Sequence, residues 1–309
     1  MMRHPGGANM LRWLKWLALA FALFIALVAL IFWYIYDVSD RAIEQRPAPA
    51  QRTIEFPDEA THESRLERGA HLYQTRGCVD CHGVHGEGTV VIGEWPMGKL
   101  VATNLTSARS AYTSDTDWSR AVRQGIAPDG RKLLFMPSHE YTRTTDADLS
   151  AIVAYIVSLP VTDSDLPPMS IGPLARVLWW LGAFNLIPAD TIDHSYVAAS
   201  SIAAGPSTTY GNYLLDGCTG CHGTGLSGGP IPGAPPDWPT ATNLTMHETG
   251  LADWTFNDFV RAMREGRRPD GSPISKVMPW PSLGKMHDWE LRAIWSALAA
   301  APPRPSGQR

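Results

Sequence analysis

All four cysteines of this 309-residue chain lie in two copies of one motif, G-C-V-D-C-H-G at 77–83 and G-C-T-G-C-H-G at 217–223. A disulfide within C-x-x-C closes the small ring that redox catalysts use, and it gives no reason for a histidine next door. Two C-x-x-C pairs supply the four thiolates of a zinc site, but such pairs usually lie within a few tens of residues. These are 140 apart. Covalent attachment of c-type haem uses all three side chains, since both thiols add to vinyl groups and the imidazole binds iron. With two copies and no cysteine to spare, the motifs read as two haem c sites. Cys78, Cys81 and His82 form the first, and Cys218, Cys221 and His222 the second.

The motifs belong to a longer repeat. A-T-N-L-T at 102–106 recurs at 241–245, and R-A-V-R-Q-G-I-A-P-D-G at 120–130 matches R-A-M-R-E-G-R-R-P-D-G at 261–271. F-M-P at 135–137 matches V-M-P at 277–279, and D-A-D-L-S-A-I at 146–152 matches D-W-E-L-R-A-I at 288–294. Constant order and near-constant offset mean one domain present twice. Each copy reads as a short helix entering the cysteine motif, a Gly/Pro-rich loop (82–101; 222–240), and a middle helix (116–125; 255–266). A P-D-G turn, a Met-Pro loop and a closing helix follow. Leu149, Ile152, Val153, Ile156 and Leu159 form one apolar stripe in the first closing helix, which Thr145 and Asp148 cap and Pro160 ends. No period-2 pattern is sustained, so the expected fold is all-α.

Residues 16–36 carry no charge over 21 positions, enough helix for a bilayer core of about 30 Å. Trp13 and Trp16 at one rim and Trp33, Tyr34 and Tyr36 at the other suit the interfaces. A cleaved signal would have a shorter apolar stretch and a small-residue site after it, and none follows Tyr36. An uncleaved anchor is expected. Lys/Arg counts on the two flanks barely discriminate. The placement rests on c-type haem being attached outside the bacterial cytoplasmic membrane, which puts the haem domains in the periplasm. The formal charge of −4 gives no case for nucleic acid. The apolar segment 171–187 contains Arg176 and an early Pro and is too short for a good span. It reads as a connector helix packed on a haem domain, a membrane-surface helix, or a partner-binding face.

Haem iron has a sixth position, and its occupant separates electron transfer from catalysis. Of ten methionines, only Met136 and Met278 occupy equivalent repeat positions, each followed by Pro and each shortly before a closing helix. A thioether is a soft ligand favouring Fe(II), and the Pro stiffens the loop. These two are the expected axial ligands. Met97, Met169, Met246, Met263 and Met286 have no partner and read as core filler, and His139 and His287 do not align with each other. Arg120, Arg123, Arg261 and Arg264 repeat at i, i+3 and read as a solvated face ahead of a propionate contact.

At C-x-x-C-H, T-N-L-T, P-D-G, M-P and the closing D-x-D/E-L helix, the chain resembles class I cytochromes c. More narrowly it is similar to the cytochrome c subunits of membrane-bound alcohol and gluconate dehydrogenases. The resemblance implies a small helical fold whose first and last helices cross, with Cys78, Cys81, His82 and Met136 on one haem and Cys218, Cys221, His222 and Met278 on the other. The chain departs from those subunits, which usually carry three haems and a C-terminal anchor. The expected layout is a membrane anchor at 1–40, a linker at 41–62, cytochrome c domains at 63–160 and 206–303 joined by a connector at 161–205, and a tail at 304–309. Residues 195–207 read as a further tether. The expected protein holds two covalent haem c groups and relays single electrons without bond chemistry. Its donor would be a quinol-oxidising complex or a dehydrogenase, and its acceptor a soluble cytochrome, terminal oxidase or photosynthetic reaction centre. A fixed place in such a complex is equally compatible. The rivals are a dihaem cytochrome c peroxidase-like enzyme, which needs an open distal iron, and a sensor or scaffold.

Overall fold

The computed structural model describes residues 7–47, 54–57, 61–235 and 237–309. The chain divides after Gln45 into two units. The first is one helix, α1 (Gly7–Glu44), rich in Ala, Leu, Phe and Ile and free of Gly and Pro beyond its first residue. Its most apolar window has a mean hydropathy of 2.7 and is only 6% buried. Side chains on opposite faces, such as Leu17 and Phe21 on one and Leu19 and Leu23 on the other, are exposed, which is the condition of a helix that lipid would cover. The helix runs past position 40, where the anchor was expected to end, and an i, i+4 ion pair of Asp37 with Arg41 supports that last turn.

The second unit opens with α2 (His62–Thr75) and α3 (Cys78–His82), followed by strands β1 (Thr89–Ile92) and β2 (Gly98–Ala102). After these come α4 (Leu105–Ala108), α5 (Asp115–Gln124), α6 (Ser138–Tyr141) and α7 (Asp146–Ser158). Strand β3 (Ser170–Ile171) and α8 (Pro173–Trp180) form the connector. The order then repeats with α9 (Thr208–Leu215), α10 (Thr219–His222), α11 (Phe256–Glu265), α12 (Trp280–Leu283) and α13 (Asp288–Ala300). The middle helices start at matching capping boxes, Ser114 with Asp117 and Thr255 with Asp258, and stop at left-handed Gly125 and Gly266.

In each half the first and last helices pack together, α2 on α7 and α9 on α13. Glycine decides how closely. A Cβ on Gly69 would lie 2.0 Å from the Ala151 carbonyl oxygen, and one on Gly211 would lie 2.0 Å from that of Ala293. Two separate cores result. Leu72, Tyr73, Trp118, Leu149 and Ile152 lead the first, and Tyr210, Leu214, Phe259, Leu291 and Leu298 the second.

Three expectations need correction. The all-α reading missed a small antiparallel sheet of order β1–β2–β3, with Thr89 opposite Ala102 and Gly98 opposite Ile171. The β-branched run T-V-V-I was too short to show a period. The tail at 304–309 is tied down, with Gly307 N–H donating to Ser227 O (3.0 Å) and Arg309 Nη1 to Pro230 O (2.8 Å). The tether at 195–207 is pinned to the start of α7, where Asp146 and Ala147 N–H donate to Ala199 and Ser200 carbonyls. In the connector, Ala175, Leu186 and Ile187 are fully buried, while Trp180 and Leu181 stay exposed.

Candidate functional site

The spacing C-x-x-C-H places its functional side chains at i, i+3 and i+4, so one short helix presents both thiols and the imidazole on the same face. Helix α3 does this for Cys78, Cys81 and His82, and α10 carries Cys221 and His222 with Cys218 at its N-cap. His82 Nδ1 lies 2.9 Å from Thr103 O, and His222 Nδ1 lies 2.7 Å from Thr242 O. A carbonyl only accepts, so Nδ1 carries the proton and Nε2 keeps a free lone pair. Burial pulls both imidazoles below their ordinary pKa, more strongly than the carbonyl bond raises them. Both rings are thus neutral and held in orientation, as a metal ligand would need to be.

The carbonyls that hold these rings belong to the repeated A-T-N-L-T. Asn104 Oδ1 accepts from Thr106 N–H (2.9 Å), and its Nδ2 donates to Thr162 O (2.6 Å). Asn243 does the same with Thr245 N–H (2.9 Å) and Arg304 O (2.7 Å). Next in the chain, Leu105 N–H donates to Gly86 O and Leu244 N–H to Leu226 O, closing each loop over its motif. The repeat was visible in sequence, but its task was not, because a backbone carbonyl leaves no side-chain signature.

None of the four cysteines is in a disulfide. Burial pushes the Cys78 and Cys218 thiols up to about 12 and raises Cys81 and Cys221 as well. Thiols held neutral by burial are not poised as thiolate nucleophiles for disulfide exchange, and the same setting accommodates a neutral thioether sulfur.

Cys218, Cys221, His222 and Met278 line one cavity of about 320 Å³, with apolar walls that include Leu244, Phe259 and Met263. A covalently held, largely apolar macrocycle with sulfur and nitrogen ligands fits that donor set and those walls. Met136 and Met278 share a backbone setting. Ser138 N–H donates to Met136 O and Trp280 N–H to Met278 O, both at 2.7 Å. The intervening prolines have φ −77° in both copies. Helix α6, two residues beyond Met136, lies against the first motif, where Tyr141 Oη donates to Arg76 O (2.7 Å). Phe135 N–H donates to Leu186 O (2.8 Å), so the connector braces this Met loop.

Of the four repeated arginines, Arg123 departs from the expected solvated face. It is buried, donating to Thr144 O and pairing with Asp146 (2.7 Å), whereas Arg264 stays exposed while donating to Met286 O and pairing with Asp288 (2.6 Å). Each ties its middle helix to the start of the closing helix. Met263 and Met286 are buried as expected of filler, whereas Met169 is exposed. His71, His287 and Glu290 have metal-ligand spacing but are committed elsewhere. His71 bonds Glu290 (2.6 Å), His287 N–H donates to the same carboxylate (2.8 Å), and the two imidazoles stack in parallel.

A helical unit whose first and last helices cross over a C-x-x-C-H segment, with a proton-fixed imidazole behind it, is the construction of a c-type cytochrome. Residues 66–160 match the family model described as Cytochrome c and belong to that family. The chain is 34% identical to "Alcohol dehydrogenase (quinone), cytochrome c subunit" of Gluconobacter oxydans (strain 621H), over 80% of this chain and 56% of the relative. It is 26% identical to "Fructose dehydrogenase cytochrome subunit" of Gluconobacter japonicus, over 84% of this chain and 57% of the relative. A shorter match, 30% identical over 28% of this chain and 21% of the relative, is "Gluconate 2-dehydrogenase cytochrome c subunit" of Pantoea cypripedii. The first two matches span a little over half the length of those relatives.

Proposed function

We propose that the chain is a membrane-anchored dihaem c-type cytochrome built from two cytochrome c domains, 63–160 and 206–303. It would relay single electrons as a subunit or close partner of a membrane dehydrogenase. Cys78, Cys81, His82 and Met136 hold one haem in this reading, and Cys218, Cys221, His222 and Met278 the other. The observation that carries it is the repeated frame, in which each C-x-x-C-H histidine donates through Nδ1 to the carbonyl of a T-N-L-T loop and so frees Nε2 for iron.

Bound haem supplies a one-electron Fe(III)/Fe(II) couple. The chain's own part is to hold that couple still. His82 with Met136 and His222 with Met278 would hold the iron through imidazole and thioether, so reorganisation on electron transfer would be small, and the apolar walls of the second site would keep water away. Each methionine would then take the position that a substrate would need. The relatives' printed names support a dehydrogenase as electron donor and leave the acceptor to be identified. Helix α1 would anchor the protein in the bacterial cytoplasmic membrane with the haem domains in the periplasm.

Purified protein should weigh its polypeptide plus two haems and show two low-spin c-type haem equivalents. Met136→Ala and Met278→Ala should each keep both haems attached. Each should also open one iron to carbon monoxide or cyanide and lower that centre's midpoint potential. Rapid carbon monoxide binding by the unmodified protein, or unchanged redox titrations in both variants, would refute the ligand assignment.

A further inference from the structure

We infer that Arg76, from the first half of the chain, sets one fixed positive charge between the two C-x-x-C-H segments and raises the reduction potential of both haems. The inference rests on the dihaem reading above. Arg76 caps α2 two residues before Cys78, and its backbone is held by Arg76 N–H donating to Leu72 O (2.8 Å) and by Tyr141 Oη on its carbonyl. Its side chain turns away from its own half. The guanidinium carbon stands 4.6 Å from the centre of the Tyr213 ring, and Arg76 lines the same cavity as Cys218, Cys221, His222 and Met278.

The charge is poorly neutralised. Nε and Nη2 are buried and have no hydrogen-bond partner among the described residues. Asp148, Glu290 and Asp216 reach it with their fields, and the first two are engaged with other groups. Asp148 pairs with Arg68 (2.5 Å) and accepts from Tyr213 Oη (2.7 Å), and Glu290 pairs with His71 (2.6 Å). Its field reaches both attachment points, opposing the upward push that burial gives the Cys78 and Cys218 thiols. Each segment also touches the helix that follows the other half's Met-Pro loop. Ser282 Oγ donates to Asp80 Oδ1 (2.6 Å), and a Cβ on Gly220 would lie 2.1 Å from Glu140 Oε1. The repeat keeps the glycine and cysteines here but reverses the charge, with Asp216 at the position matching Arg76.

Ferric haem carries one more positive charge than ferrous haem, so a nearby buried cation disfavours oxidation at each iron. Because Arg76 stands between the segments, it acts on two centres at once, which a propionate partner within one domain would not do.

Anaerobic spectroelectrochemical titration of the full chain in mild detergent tests this. In Arg76→Gln both midpoint potentials should fall, and in Arg76→Lys both should stay near the parent. Unmoved midpoints in a Gln variant with two haems, a fall confined to one haem, or an equal fall in the Lys variant overturns the inference. If Arg76→Gln fails to fold, Asp216→Asn carries the test. Loss of that carboxylate leaves the cation less compensated, so both midpoints should rise, and no change there is equally fatal. A parent protein holding a single haem sinks the dihaem reading and this inference together. Two haems with unmoved midpoints sink the inference alone.

Discussion

The two halves of the cytochrome unit agree where histidine is held and differ where each half meets the rest of the chain. The Nδ1 bond to a threonine carbonyl, the asparagine beneath it and the left-handed glycine ending the middle helix occur in both copies. The edges diverge. The first half inserts the β1–β2 hairpin after its motif, while the second has only an isolated bridge of Gly229 with Ala241 among the described residues. The first Met loop leans on the connector through Leu186, whereas the second motif is covered by the chain's end, Arg309 Nη2 donating to Gly220 O (3.2 Å). Tyr73 Oη donates within its own half to Gly83 O (2.7 Å), but Tyr213 Oη crosses to Asp148 in the other half. The two halves share what orients the motif histidine and differ at the edges through which they meet.

The helix crossings offer the hardest test of that equivalence. Gly69→Ala and Gly211→Ala each force a methyl into a backbone carbonyl with no flexible side chain to yield. Each should cost about 3 kcal/mol or more, read by chemical denaturation of the holoprotein. A mild effect at one position would mean that the two crossings are not the same joint. Asn104→Ala and Asn243→Ala come next. Each removes a buried side chain that caps a turn and anchors the segment beyond the closing helix, so a loss of about 2 kcal/mol is expected. Their second signature is spectroscopic. The threonine carbonyl behind the histidine loses its support, and the haem of that half alone should change its near-infrared ligand band.

Much of this was legible before any coordinates. The anchor helix, the middle and closing helices with their caps, and the cysteine motifs stand in the sequence because side-chain periodicity and capping chemistry are local. What was not legible depends on partners far along the chain. Arg123 looks like half of a surface pair until Asp146 and Thr144 are folded against it. Residues 304–309 look like a tail until Thr245 and Ser227 receive them. The hairpin escaped because four residues of T-V-V-I between glycines do not establish a period. Arg76 gave no signal beyond a charge opposite to its repeat partner.

The joint itself has a pH signature, the smallest effect of the series. Glu290 is fully buried at the start of α13 and meets His71 of α2 across the halves. Burial alone would raise its pKa, but the bonds from His71 and from the His287 N–H outweigh that and hold it below the ordinary value. A carboxyl with a depressed folded pKa contributes stability above its unfolded pKa of about 4.3 and loses it as pH falls through the folded value. Glu290→Gln keeps an acceptor for the backbone N–H but cannot carry the charge, so at neutral pH it should be less stable by about 1 kcal/mol. As the pH falls below about 4 the parent's advantage should shrink toward zero, followed by denaturant unfolding of both proteins from pH 3 to 7. A parent advantage that persists unchanged to pH 3 would mean that the histidine–glutamate contact does not hold the halves together through charge.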